Sequence, residues 1–177
     1  MENQRIRVSK TMLKEALLEL LRKEDISRIT VTRLCQTAQI NRATFYKYYG
    51  TPNDLLAEIE RDFFEELENQ FGNDDLSEES ALAGTVAYLD KSRDKMKILL
   101  NALSYDSFYD HLTKQDFIKI FLEKNIPRDS ALSKDYVRLF FSRGIYAVLR
   151  EWINNENPES PEDMVNLILS VKKKFER

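Results

Sequence analysis

The sequence predicts an all-α chain, and three observations carry that expectation. Apolar residues recur at three- and four-residue spacings, the period of a helix face, and not in alternation. Only four Gly and four Pro are spread over 177 residues, few breakers for the many tight turns of a β-rich fold. With 42% hydrophobic against 32% charged residues, the chain can bury a core under a well-solvated surface, which argues against global disorder.

The first helix is expected from Val8 to Arg22. Val8, Met12, Ala16 and Leu20 recur beside a second row of Leu13, Leu17 and Leu21, giving one broad apolar stripe. Thr30 reads as the N-cap of a short second helix whose inner face is Val31, Leu34, Cys35 and Ala38. Asn41 caps a third short helix through Tyr48, with Gly50 placed to stop it. Thr51 and Pro52 repeat the start signal, cap then Pro at the first helical position, and open a long fourth helix. Its buried side is Leu55, Leu56, Ile59, Phe63, Leu67 and Phe71. The acidic stretch from Gly72 to Ser80 is the clearest break in composition. Beyond it, helices are expected near Ser77–Leu89, Ser92–Leu103, Gln115–Asn125, Ser133–Asn155 and Ser160–Phe175.

Charge divides the chain as well. Residues 1–56 carry ten Lys/Arg and six Asp/Glu, a balance of +4, whereas residues 57–177 carry seventeen and twenty-four, a balance of -7. A phosphate-facing surface needs local positive charge, not a basic whole protein. The two parts expected are a helix-turn-helix DNA-binding domain at 1–50 and a helical regulatory and dimerisation domain at 51–177.

The segment NRATFYKYYG (41–50) carries the chemistry. Two short helices joined by a tight turn suit the major groove, the second laying its first turn against base edges. Arg42 has the planar fork that pairs two acceptors on guanine, and Ala43 is small enough for close approach or for a thymine methyl. Asn41 and Thr44 can donate to phosphates at the helix start, where free amides also favour an anion. Tyr46 and Tyr48 carry hydroxyls on rigid arms, and Lys47 supplies charge. Phe45 and Tyr49 point the other way and anchor the helix. The expected DNA-contacting set is Thr30, Arg33, Asn41, Arg42, Ala43, Thr44, Tyr46, Lys47, Tyr48 and Thr51.

From about Lys10 to Leu56 these residues resemble the DNA-binding domain of the TetR family of bacterial transcriptional regulators. The likeness rests on ITVTRLCQTAQI followed by NRATFYKYYGTPNDLL, above all Thr44-Phe45-Tyr46 and the spacing to Leu55-Leu56. It covers about a quarter of the chain. Asn41 stands for the usual Ser and keeps the cap, Ala43 stands at the common Gly, and Tyr49 replaces Phe. Pro52 stands where the family usually has a phosphate-contacting Lys, so Thr51, Asn53 and the helix amides would have to serve. Arg5, Arg7 and Lys10 loosely match the family's preceding basic arm. The stretch TVTRLCQTAQINRATFY is also similar to a group of Gram-positive regulators that includes activators of dihydroxyacetone kinase genes.

The last two predicted helices resemble the pair that builds the family's four-helix dimer interface. Phe141, Ile145, Val148 and Trp152 form one stripe; Met164, Leu167, Ile168 and Val171 form another. Two adjacent apolar helices bury more surface as a self-complementary pair than alone. The resemblance implies a homodimer on a near-palindromic double-stranded DNA operator, repression as the default with activators also known, and an effector cavity among the middle helices. Candidate cavity residues are Tyr88, Phe108, Phe117, Phe121, Phe140 and Arg143. Aromatic stripes are more often plain core, and a ligand-free architectural DNA-binding protein of the same fold remains the alternative.

One His, one Cys and no paired ligand spacing leave an enzyme or a metal cofactor without obvious parts. Cys35, on an apolar face, is expected to be a protonated core thiol. The first residues lack a signal-peptide core and no long apolar run occurs, so no membrane partner is expected and the cytoplasm is the expected location.

Overall fold

The computed structural model describes residues 4–71, 77–114 and 134–175. Among these, every regular element is helical: α1 (Gln4–Leu21), a 3-10 turn (Ile26–Arg28), α2 (Val31–Ala38), α3 (Arg42–Tyr46), α4 (Pro52–Phe71), α5 (Glu78–Lys91), α6 (Arg93–Ala102), α7 (Tyr105–Lys114), α8 (Lys134–Asn154) and α9 (Pro161–Phe175). The chain divides into two compact units, Met1–Phe63 and Phe64–Arg177.

In the first unit the buried stripe of α1 is Leu13, Ala16, Leu17 and Leu20, packed on α2 with its buried Leu34, Cys35 and Ala38, and α2 in turn packs on α3, whose Phe45 is buried. Leu55, Leu56, Ile59 and Phe63 of α4 complete this core. The first helix begins a turn earlier than expected, because Gln4–Arg7 contains no breaker. Val8 lies before the buried stretch and is 50% exposed.

Capping follows the sequence signals closely. The Thr30 hydroxyl accepts the Arg33 amide at 3.2 Å, and the Asn41 side chain accepts the Ala43 amide at 2.8 Å. Each satisfies a first-turn donor with no partner inside its helix. The turn between α2 and α3 is made by Gln39 in the left-handed region, φ 54 and ψ 35. The Ile40 amide returns to the Cys35 carbonyl at 3.0 Å, closing the end of α2. The regular part of α3 stops at Tyr46, two residues sooner than expected, and Tyr48 and Tyr49 continue as a turn bonded to the Phe45 carbonyl.

In the second unit α5 packs against α9 and α6, while α6 and α7 pack against α8. Helix α7 (Tyr105–Lys114) is not among the helices expected from the sequence. Ser104 starts it, its hydroxyl accepting the Ser107 amide at 3.1 Å, and burial of Phe108 and Tyr109 holds it. Phe64 of α4 meets Phe108 at 5.3 Å, and Tyr146 of α8 stacks on Phe108 at 6.0 Å. Arg93 of α6 donates to the Trp152 and Ile153 carbonyls at 2.6 and 3.1 Å and lies 4.4 Å from the Trp152 ring centroid. A cation is thereby fixed on the last carbonyls of α8, where the helix dipole favours one. The helix expected at Gln115–Asn125, with Phe117 and Phe121, lies outside the described residues.

Candidate nucleic-acid interface

Helix α3 divides cleanly between anchor and surface. Phe45 and Tyr49 are buried, their rings 5.6 Å apart. Asn41, Arg42, Ala43, Tyr46 and Lys47 are exposed, Tyr46 at 59%. Thr44 and Tyr48 are half-buried between the two sets. The buried aromatics fix the roll of a helix too short to be stable alone, and that roll presents Arg42 and Tyr46 outward.

A cluster of cations and tyrosines surrounds this face. Lys10 of α1 lies 5.8 Å from the Tyr48 ring and 5.9 Å from the Tyr49 ring, and Lys47 lies 5.7 Å from Tyr48. Positive charge over the ring faces is attractive in itself, and it holds two ammonium groups beside the exposed side of α3. Lys10 stood in the sequence only as part of a loose basic arm; its place beside Tyr48 had no local signal.

Other site residues carry structural duties as well. Thr30 and Asn41 spend an oxygen on capping, yet the Thr hydroxyl and the Asn amide group keep donors. Arg33 is exposed but paired with Glu24 at 2.7 Å, which offsets its charge. At the start of α4 the Asp54 carboxylate accepts the Gly50 and Thr51 amides at 3.0 and 2.8 Å. In return the Asp54 amide bonds the Thr51 hydroxyl oxygen at 3.3 Å, a reciprocal capping box. The amides of Gly50 and Thr51, which could have replaced the missing Lys, are thus already bonded to a carboxylate. Thr51 is exposed and its hydroxyl retains a proton to donate.

Beneath the face, Lys14 of α1 bonds Glu58 at 2.7 Å and Asp62 at 2.5 Å on α4, and Lys10 reaches Glu58 at 3.5 Å. Burial opposes the charge on Lys14, but hydrogen bonds to Asp62 and Glu58 outweigh it and raise its pKa. Burial likewise opposes the charge on Glu58, and the bond and charge of Lys14 prevail, lowering its pKa. Burial pushes the Cys35 thiol up, against the pull of Arg42.

The expected dimer residues split by exposure. Phe141, Trp152, Met164 and Ile168 are buried within the chain, and Ile145 is half-buried. Val148, Leu167 and Val171 stand 38%, 46% and 39% exposed. Of the expected cavity residues, Phe108 is packed in the core and Phe140 is 63% exposed. Tyr88 is half-buried, and burial with a bond to Glu66 pushes it up to about 12. Arg143 lies 3.8 Å from the Tyr109 ring centroid and pairs with Asp106 at 2.9 Å. Among the described residues no helix is long and apolar enough to cross a membrane, and no group of three His, Cys, Asp or Glu is placed to hold a metal.

Comparison with known proteins adds an independent line. A TetR-type family model described as a transcriptional regulator C-terminal region matches residues 77–174, more than half of the chain. The chain is 26% identical over 175 residues to the dhaKLM operon transcriptional activator DhaS of Lactococcus lactis, covering 96% of this chain and 93% of that protein. It is 22% identical to the HTH-type transcriptional regulator YxbF of Bacillus subtilis over 87% of its own length, but spans only 42% of YxbF. Among solved structures, a TetR transcriptional regulator from Streptococcus agalactiae superposes with a TM-score of 0.78 at 23% identity, covering 98% of this chain and 97% of the other. The DhaS structure superposes at 0.62 with 25% identity over 96% and 98%.

Proposed function

Because the chain belongs to the TetR family of transcriptional regulators, we propose that it acts as a homodimer on a near-palindromic DNA operator, reading bases with α3. One observation carries this reading: the buried Phe45 and Tyr49 turn Arg42, Ala43, Tyr46 and Lys47 outward on a capped helix. Arg42 is assigned to a base edge, most naturally guanine. Thr30, Asn41, Thr44, Tyr46, Lys47, Tyr48 and Thr51 are assigned to the backbone, with Arg33 contributing when Glu24 releases it. A two-fold dimer supplies two such helices for half-sites about 34 Å, one helical turn, or more apart. The exposed Val148, Leu167 and Val171 support α8 and α9 as the joining surface.

We further infer control by a small ligand or protein partner bound to the C-terminal unit. The Tyr105, Tyr109, Tyr146 and Arg143 cluster supports it, offering ring faces and a cation together. Such a ligand shifts operator affinity only through its differential affinity for two states.

The test is selection of bound duplexes from a random DNA library, followed by titration of the enriched sequence. An enriched near-palindrome is expected. Arg42→Ala should then lose about 1–3 kcal/mol of binding, concentrated at one base position of each half-site. Binding without enrichment that vanishes as salt rises would leave only non-specific phosphate contact and overturn the operator reading.

A further inference from the structure

Arg33 lies in the first turn of α2, and its Nη1 is 2.7 Å from both carboxylate oxygens of Glu24, donating to Oε2. The two partners differ sharply in exposure, 51% for the Arg33 side chain and 14% for Glu24. Glu24 Oε1 is buried and accepts no hydrogen bond among the described residues. The carboxylate, in the turn that follows α1, is thus sheltered by the protein while the guanidinium reaches out. Nearby, Lys23 and Glu19 form an ordinary surface pair, both more than half exposed. Capping does not account for Glu24, because the Arg33 amide is already taken by the Thr30 hydroxyl. A helical ladder does not either, since the partners stand nine residues apart on different elements.

We propose that Glu24 is a resident counter-ion that competes with DNA phosphate for Arg33 and thereby sets how well operator is told from other DNA. This rests on the DNA-binding reading above and adds the residue that restrains it. Moving Arg33 to a phosphate strips a sheltered carboxylate of its cation, and a buried charge left unpaired is costly. A complex held in register offsets that cost, because it places a phosphate at hydrogen-bond distance, where the guanidinium contact is short and charge-assisted. Loosely held DNA does not, because its attraction comes from net charge and the release of counter-ions. With Glu24 in place, the Arg33 charge is neutralised until such a phosphate arrives. Glu24 therefore weakens binding to arbitrary duplexes more than binding to the operator, and it acts on DNA only through Arg33.

Salt titrations of the full chain against a random-sequence duplex and against the selected operator test this. For Glu24→Gln, affinity for the random duplex should rise about three- to tenfold at roughly 100 mM salt. The slope of log affinity against log salt should steepen by about 0.9 for each chain bound, one more phosphate neutralised. Operator affinity should rise by a smaller factor, so the ratio between the two duplexes falls. Glu24→Ala, which removes the carboxylate altogether, should repeat the gain. In an Arg33→Ala background the Glu24→Gln change should alter neither affinity nor slope, which a general loss of negative charge or a merely structural role would not predict. Unchanged binding in both Glu24 variants, an equal gain on the two duplexes, or a gain that survives without Arg33 would overturn the competition and leave DNA binding standing. A wild-type chain that enriches no operator would overturn the DNA reading and the competition together.

Discussion

Lys14 shows how a single side chain can tie α1 to α4. Its ammonium joins Glu58 and Asp62 of α4, on the helix whose N-terminus follows directly from the α3 turn. Glu58 has its folded pKa lowered, so its contribution is present above the unfolded carboxylate range, near pH 4.3, and is lost as pH falls through the folded value. Lys14 has its pKa raised, so its contribution is complete below about pH 10.4 and is lost as pH rises through the folded value. Both groups are partly exposed, and about 1 kcal/mol is the scale expected for the pair. Lys14→Met should lower denaturant stability by about that amount at pH 7, and the difference should shrink toward pH 3 in paired urea titrations. A pH-independent difference would assign the loss to packing of the stem instead.

At the scale of elements, the α2–α3 joint depends on Gln39. A non-glycine residue at positive φ carries a cost of roughly 1 kcal/mol, and Gln39→Gly should relieve part of it, raising thermal stability by about 0.5–1 kcal/mol. A fall in melting temperature would show that the Gln side chain compensates for its strain. The sequence marked the caps on either side of this joint, Thr30 and Asn41, because hydroxyl and amide caps are local chemistry. It did not mark the joint, since Gln has no preference for that conformation. The same contrast explains the second unit. Ser104 with Tyr105, Phe108, Tyr109 and Leu112 has helical spacing, yet the polar residues between them hid α7 until burial of the aromatics was visible. For the candidate interface, the outward set on α3 was legible from one short motif. Lys10 beside Tyr48, Glu24 on Arg33 and Asp54 on two backbone amides were not, because each comes from tertiary or capping geometry that periodicity does not encode.

At the scale of the whole molecule, exposed Leu167 and Val171 are costly on a chain that stays alone, and burying them is worth roughly 25 cal/mol per Å² removed from water. Leu167→Glu should therefore shift the protein to single chains at micromolar concentration, read by sedimentation velocity. In the proposed dimer, operator affinity should then fall by more than the loss of one half-site contact, because the substitution would uncouple two α3 helices otherwise held at a fixed spacing. A dimer that survives this substitution would move the joining surface away from α9.

The left-handed turn at Gln39 also bears on the entropy of recognition. A glycine there would widen the backbone freedom of the joint within the limits that buried Phe45 and Tyr49 allow, and in the proposed DNA complex that residual motion would have to be stilled at each encounter. With Gln39, few backbone conformations are open to the joint. The freedom is surrendered once, when the chain folds, and not again at each binding event. Gln39→Gly should thus produce a more stable fold with a less favourable binding entropy, two effects of opposite sign from one torsion angle.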